Sequence, residues 1–186
     1  MSDPVLGEGL VFEESLPIDW RDAPLPDGAE LARWNADGAQ LLGAEASLEE
    51  ARSHEALKEE SPALAHELQR LEFKLDILLR LTAELATDHR PLPPSQTLRL
   101  SSQGLEWIGA DGPRVGATGV ASVYVNRALP QPLRLPCRVV DERRVGEQRA
   151  VRLRFFGLSD GVVEGLDRLI FRHHRRLVAG ARHTPE

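Results

Sequence analysis

The sequence has a single cysteine, Cys137, and no long uncharged apolar stretch. One cysteine excludes a disulfide within the chain, which is typical of proteins in a reducing compartment. No apolar run approaches the roughly 18 residues that a membrane-spanning helix requires, so we expect no membrane span. The opening MSDPVLGEGL lacks the basic start and apolar core of a signal peptide. These absences predict a cytoplasmic protein.

Motifs that carry familiar chemistry are missing as well. The sequence has no P-loop Gly-Lys-Ser/Thr, no Gly-x-Ser-x-Gly elbow, no His-Glu-x-x-His and no pair of cysteines. His173 and His174 are adjacent, but neighbouring residues of a helix point in different directions, and no other ligand cluster accompanies them. We therefore expect no enzyme activity, no metal site and no cofactor.

Charge is unevenly distributed along the chain. Residues 1–60 hold fifteen acidic and four basic side chains, whereas residues 91–186 hold nine acidic and fifteen basic ones, all of them arginine. Two interpretations stay open. Either these charges belong to solvated surfaces, or a basic C-terminal module meets an anion or the acidic N-terminal part of a neighbouring subunit.

The N-terminal half of the chain has the pattern of helices. Residues 1–60 form an acidic segment with one short strand before Pro17 and a helix from about Asp27, which Gly38 and Gly43 weaken or break. Ser61-Pro62 then starts a new helix as its N-cap and first residue. That helix ends before the PLPP of residues 91–94, so we assign residues 61–90 to it.

The helix at residues 61–90 carries a leucine seam. Leucines recur at alternating spacings of four and three, with Thr82 filling one place: Leu64, Leu68, Leu71, Leu75, Leu78 and Leu85. This spacing indicates a heptad seam for oligomerisation, although a surface helix that packs on its own domain gives a similar stripe. Leu79 and Leu81 widen the stripe beyond what a two-stranded coil requires. The pattern favours a helix-bundle homo-oligomer, and a tetramer in particular.

After PLPP the apolar period changes from 3.6 to 2. The segments TLRLSS, GLEWIG, GVASVYVN, LRLPCRVVD and RAVRLRFF predict five short antiparallel strands in a small barrel. Alternation places a belt of arginines on the outer face: Arg99, Arg134, Arg138, Arg152 and Arg154. Ser159-Asp160 then caps a final helix. The predicted fold class is α+β, with a β-barrel and C-terminal helix over residues 96–180, long helices before it, and a tail at 181–186.

The order of these parts resembles one known family. L-S-x-x-G-L, L-x-L-P-C-R-V-V, V-R-L-R-F-x-G-L-S and L-x-R-L-I-F-R-H-H-R-R follow one another as in a PilZ domain, over roughly residues 60–180. The long heptad helix joined through L-P-P is similar to the atypical subgroup, whose members tetramerise through helices. The resemblance implies a PilZ-like β-barrel in bacterial cyclic di-GMP signalling, which controls motility, biofilm formation or virulence.

Ligand-binding members of that family carry two motifs that are missing or altered here. In those members, an R-x-x-x-R motif before the barrel binds phosphates and a guanine. In this chain, the arginines upstream of the predicted barrel are ten residues apart. The second motif, D/N-x-S-x-x-G, recognises a guanine through hydrogen bonds. The matching stretch, RLSSQG at residues 99–104, keeps Ser101 and Gly104 but places Arg99 at the acidic or amide position. A guanidinium only donates hydrogen bonds, so it cannot replace the acceptor there.

These two losses favour one function and leave a second open. Each charge-assisted hydrogen bond contributes roughly 1.5–3 kcal/mol, so we expect cyclic di-GMP binding to be weak or absent and RLSSQG to act mainly as a turn. The favoured hypothesis is then that the protein is a non-enzymatic oligomeric adaptor that binds signalling proteins. The alternative is a direct cyclic di-GMP receptor that uses the arginine belt. Because aromatic residues in the strands are few, we expect no nucleic-acid polymer as a partner.

Overall fold

The architecture is that of a computed structural model of the chain. It describes residues 6, 10–51, 66, 67, 70, 71, 73–75, 77, 78, 81, 82, 91–109, 112–126, 129 and 131–181. The strands are β1 (Phe12–Asp22), β2 (Ser95–Leu100), β3 (Gly104–Ile108), β4 (Thr118–Val123), β5 (Leu133–Val145) and β6 (Gln148–Phe155). The helices are α1 (Gly28–Ala51) and α2 (Asp160–Ala181). The described residues between 66 and 82 are also helical, and we call them the leucine segment.

The six strands form one closed antiparallel barrel in the order β1-β2-β3-β6-β5-β4. β1 closes it, because Phe12–Pro17 pairs with β2 and Ile18–Asp22 pairs with β4. The predicted α+β class is confirmed, but the expected count of five strands was wrong by one. The sixth strand comes from the acidic N-terminal segment that we placed before the barrel.

Pro17 explains why β1 was predicted to be short. A proline inside an apolar run usually limits a strand, because it cannot donate to the ladder. Here Pro17 lies where β1 changes partner, at the end of its pairing with β2. Its carbonyl oxygen accepts a hydrogen bond from the N–H of Tyr124 at 3.0 Å. The strand therefore continues past the proline.

The barrel interior is an apolar cluster to which every strand contributes. Among the larger side chains that are almost completely buried are Phe12, Leu98, Leu100, Leu105, Leu133, Leu135 and Leu153. α2 packs on the same cluster through Val162, Leu166 and Ile170. Cys137 is fully buried in it, and burial raises the pKa of its thiol to about 12 against the lowering effect of a hydrogen bond with the Ala121 backbone.

Two glycines allow α1 to lie close to the barrel and to α2. A Cβ on Gly38 would lie 3.1 Å from Leu133 Cδ1, and one on Gly165 of α2 would lie 2.9 Å from the Leu42 side chain. The sequence predicted that Gly38 and Gly43 weaken or break this helix, but α1 is continuous from Gly28 to Ala51. The close packing at these glycines offsets the low helix propensity of glycine.

The leucine segment places its apolar side chains at the surface of the single chain. Leu71 is 53% exposed, and Leu75 and Leu78 are each 58% exposed. Phe73 and Leu81 are exposed as well. The other predicted seam residues, Leu64, Leu68 and Leu85, lie outside the described residues. In the part of the chain that the structure describes, no helix is long and apolar enough to span a bilayer.

Candidate functional site

The turn between β2 and β3 contains the serine and the glycine of RLSSQG. Ser101 is buried, and its Oγ accepts hydrogen bonds from the N–H groups of Gln103 and Gly104, each at 3.2 Å. The same hydroxyl donates to the carbonyl oxygen of Gly104 at 3.2 Å, and the Ser101 N–H donates to that oxygen at 2.9 Å. The hydroxyl is thus used inside the turn.

Arg99 belongs to a row of charges that crosses the outer wall of the barrel. The strand register places one charged residue of each of five neighbouring strands in line: Glu13, Arg99, Glu106, Arg152 and Asp141. Their signs alternate, and each neighbouring pair forms an ion pair at 2.9 to 3.8 Å. We call this row the charge ladder. Opposite charges that face each other across strands stabilise the pairing.

Glu106 lies at the centre of the charge ladder, and its side chain is fully buried. Arg143 reaches it from β5, donating from Nε to Oε1 at 2.5 Å and from Nη2 to Oε2 at 2.8 Å. Arg99 donates from Nη1 to Oε2 at 2.9 Å. Burial alone would raise the pKa of Glu106, but the hydrogen bonds and charges of Arg143 and Arg99 outweigh burial and lower it. The carboxylate is therefore an anion held permanently by arginines of its own chain.

The predicted arginine belt is consequently not a uniform exposed surface. Arg99 and Arg152 are in the charge ladder, where their side chains are only 31% and 13% exposed. The reason is Glu106, which draws these guanidinium groups towards the wall of the barrel. Alternation predicted that the belt lies on the outer face, and Arg99 and Arg152 do lie there, but they are paired with Glu106.

The other three arginines of the belt remain exposed. Arg138 and Arg154 lie directly opposite each other on β5 and β6. The guanidinium carbon of Arg138 is 5.7 Å from the centroid of the Phe156 ring. Arg134, four residues before Arg138 on β5, lies 3.9 Å from a carboxylate oxygen of Asp37. These side chains form a basic surface on the outer wall.

Sequence reasoning missed two members of the charged cluster, Glu106 and Arg143. A signal for Glu106 was present, because a carboxylate between Leu105 and Trp107 in a short strand needs a partner if the strand is buried. For Arg143 no such signal exists. It reaches Glu106 because β5 continues past the register shift between Val139 and Asp141, and the face on which residues lie after such a shift does not follow from the alternation before it.

A cavity of about 300 Å³ lies beside the β2–β3 turn. Its apolar walls are Leu6 and Leu10, from before β1, and Ile170 and Phe171 of α2. The turn residues 101–103 and Asp167 line the rest. Because the barrel begins at Phe12, the segment that precedes it is residues 1–11, which contain neither arginine nor lysine. The sequence lacks the R-x-x-x-R motif of ligand-binding family members upstream of residue 96, and residues 1–11 contain no such motif either.

His173 of α2 is a partly buried titratable group near β1. Its ring meets that of Phe12 edge-on, with centroids 4.3 Å apart, and its Nδ1 lies 3.6 Å from a carboxylate oxygen of Glu14. Burial lowers the pKa of His173, the charge of Glu14 raises it, and Arg176 and His174 lower it further, so that the net direction is downward. Among the described residues, no three His, Cys, Asp or Glu side chains are grouped to hold a metal ion.

Comparison with known proteins decides the family. The family model described as an atypical PilZ domain, cyclic di-GMP receptor, matches residues 42–183, well over half of the chain. The chain belongs to the atypical PilZ domain family. The resemblance seen in the sequence is thereby confirmed. The matched span begins within α1, so the closing strand β1 of this atypical PilZ protein lies outside it.

One solved structure is similar over almost the whole length of this PilZ protein. It is a pathogenic protein from Xanthomonas campestris, described as a tetrameric PilZ domain self-assembled via an unusual helical bundle. The two sequences are 28% identical, the TM-score is 0.71, and the match covers 92% of this chain and 91% of that one. A search of curated proteins found no match.

Proposed function

We propose that this atypical PilZ protein is a non-enzymatic, oligomeric adaptor in cyclic di-GMP signalling. It acts in the cytoplasm, in the control of motility, biofilm formation or virulence. Its helices assemble several copies, and the barrels of the assembly are displayed to protein partners. The ligand-motif positions of the barrel serve its own structure.

One observation carries this proposal: the guanidinium of Arg99 is bonded at 2.9 Å to the buried carboxylate of Glu106. Arg99 occupies the position at which the family motif has an acceptor for a guanine edge, and it offers donors only. Its Nη1 is bonded to Glu106 and its Nε lies 3.5 Å from a carboxylate oxygen of Glu13. The Ser101 hydroxyl is likewise used within its turn. Neither residue presents a free group of the kind that guanine recognition requires.

The cavity beside the turn supports the same conclusion. A dinucleotide with two phosphates needs cations close to its binding site, because buried anions without partners are strongly disfavoured. The walls of this cavity are leucine, isoleucine and phenylalanine, and Asp167 is its charged residue. A carboxylate beside a phosphate repels it. Loss of two charge-assisted bonds, at roughly 1.5–3 kcal/mol each, would weaken a micromolar complex by a factor of about a hundred or more.

The leucine segment supports the oligomeric part of the proposal. A helix that packed on its own domain would bury its apolar stripe, whereas Leu71, Leu75 and Leu78 are all more than half exposed in the single chain. Contiguous exposed apolar side chains at heptad spacing are typical of an interface between helices. The Xanthomonas campestris protein, which is described as assembling through a helical bundle, supports a tetramer.

Isothermal titration of the purified chain with cyclic di-GMP tests the proposal. The titration is done at low salt, where binding of an anion is least screened. We expect no saturable heat at micromolar ligand, either for the wild type or for Arg99→Ala. Saturable micromolar binding that Arg99→Ala weakens would contradict the adaptor proposal, because Arg99 would then belong to a ligand site.

A direct receptor role is the second candidate, and one observation favours it. Arg138 and Arg154 face each other across β5 and β6 and are both exposed, so they place two guanidinium groups, which suit phosphate oxygens, on one surface. If this surface binds cyclic di-GMP, the double variant Arg138→Ala with Arg154→Ala abolishes micromolar heat. Arg99→Ala would leave that heat unchanged, so the two variants distinguish the two candidates.

A further inference from the structure

We propose that the cavity between the β2–β3 turn and α2 is the docking site of a protein partner, which inserts one large apolar side chain flanked by carboxylates. This inference rests on the proposed adaptor function and assigns a surface to it. The observations that carry it are the exposed side chains at the cavity, the chemistry of its walls and the charge of α2.

Phe171 is the most informative of these side chains. α2 packs on the barrel through Val162, Leu166 and Ile170, while Phe171, which follows Ile170 at the cavity, is 52% exposed. Leu10, from the segment before β1, is 44% exposed and lines the same cavity. Single exposed apolar residues are common. Two of them lining one concave site indicate a binding surface rather than chance exposure.

The walls of the cavity define what fits into it. Four apolar side chains enclose about 300 Å³, which is at the small end of the range for ligand pockets, about 300–1,000 Å³. That volume suits one large side chain. The polar side chains of Ser102 and Gln103 lie at one side of the cavity, where they can bond to the backbone of an extended peptide. The site therefore fits a peptide segment with one aromatic or leucine anchor.

The charge beyond the cavity defines what flanks that anchor. In α2, the residues that follow Phe171 are strongly basic, and those exposed among them include Arg175 and Arg176. Arg175 is four residues after Phe171 and so lies on the same side of the helix. Charge complementarity across an interface selects partners and speeds association. Asp167, one turn before Phe171, also lines the cavity and repels anions, so the carboxylates of the partner would lie toward Arg175, one turn after Phe171.

A basic helix with an exposed phenylalanine is also typical of a surface that lies on anionic lipid. The shape of the site disfavours that occupant. Among the residues of α2 whose side chains are described, Phe171 and Val178 are the large apolar ones exposed to solvent, which is a small area for a lipid surface. The apolar residues Leu6 and Ile170 are buried at the walls of the cavity. An inserted side chain reaches them, whereas a flat bilayer does not.

Selection of random displayed peptides against the full-length oligomer tests this inference, followed by affinity measurements on synthetic copies of the selected peptides. We expect the selected peptides to share one large apolar residue flanked by Asp or Glu. Phe171→Ser and Leu10→Ser should each weaken their binding at least about tenfold, as loss of a central anchor does. Arg175→Glu should weaken binding more at low salt than at high salt.

Two matched variants serve as controls. Val115→Ser removes an apolar side chain that is 51% exposed but does not line the cavity, and Arg144→Glu reverses an exposed charge on β5. Neither should change peptide binding. Because the test has two cavity variants at exposed side chains, a folding defect in one leaves the other informative.

Three results would overturn the docking site. The first is a selection that enriches no peptides of this composition. The second is peptide binding that neither Phe171→Ser nor Leu10→Ser weakens. The third is Phe171-dependent binding to phosphatidylglycerol vesicles without binding to peptides. The titration with cyclic di-GMP, done on the same preparation, is independent of these outcomes: micromolar nucleotide binding through Arg99 would contradict the adaptor function itself.

Discussion

Leucine is used in two different ways in the two halves of this protein. In the barrel, Leu98, Leu105 and Leu153 are completely buried within one chain. In the leucine segment, Leu75 and Leu78 are each 58% exposed. The side chain is the same, so the difference in burial depends on whether the same chain supplies the residues that cover it. We infer that the barrel is a unit of folding and that the leucine segment is a unit of association.

The arginines on the barrel also differ in how far they are exposed. In the charge ladder, the chain supplies a buried anion, Glu106, for its own arginines. On the neighbouring wall, Arg138 and Arg154 face each other and remain exposed. The ion pairs of the buried carboxylate contribute to stability, whereas the exposed arginines are accessible from solvent. Leu153→Ala and Glu106→Gln should destabilise the barrel, and His173→Phe tests how α2 is held against it.

The largest expected loss comes from a barrel leucine. Leu153→Ala should lower the free energy of unfolding by about 3–4 kcal/mol, because it removes buried methyl groups and leaves a cavity in a closed core. Leu75→Ala is the matched control, since it truncates the same side chain where it is exposed, and it should leave barrel stability unchanged. Urea unfolding at one fixed protein concentration, followed by tryptophan fluorescence, measures both. Equal losses of unfolding free energy for Leu153→Ala and Leu75→Ala would contradict the distinction between the buried leucines of the barrel and the exposed leucines of the leucine segment.

Removal of the buried anion should have the next largest effect. Glu106→Gln leaves the surrounding arginines without a counter-charge and should cost about 3 kcal/mol, at the low end for a broken buried ion pair, because Arg99 and Arg143 are partly exposed and can turn to water. Glu142→Gln is the control: its pair with Arg149 is at the surface, and it should cost under about 1 kcal/mol. Urea midpoints at pH 7 measure both. If Glu106→Gln loses no more unfolding free energy than Glu142→Gln does, the charge ladder adds nothing to stability.

A smaller effect should appear in the pH dependence of unfolding. Burial lowers the pKa of His173 below its usual 6.5, so the unfolded chain takes up a proton more readily than the folded chain does. Stability should therefore fall as the pH drops through 6.5 and level off below the folded pKa. His173→Phe should reduce this slope, whereas His174→Gln, at an exposed position, should retain it. An unchanged slope in His173→Phe would mean that other groups cause it.

Much of the barrel could be predicted from the sequence, and the reasons for the remainder are physical. Period-two alternation identified β2 to β6 because each of these strands has one face in the core. β1 was only partly visible, since Pro17 interrupts its pattern at the point where it changes partner. The charge ladder depends on strand register, which no local pattern encodes. The cavity depends on β1, because Leu6 and Leu10 reach α2 only once the strand after them closes the barrel.

Light scattering of the purified chain tests the central claim most directly, by comparing the wild type with the double variant Leu71→Glu and Leu78→Glu. The account predicts four times the chain mass of 20.6 kDa for the wild type. It predicts the mass of one chain for the double variant, with the barrel still folded by tryptophan fluorescence. A wild-type mass of one chain, or an unchanged mass for the double variant, would contradict it, because the exposed leucines would then not be an interface.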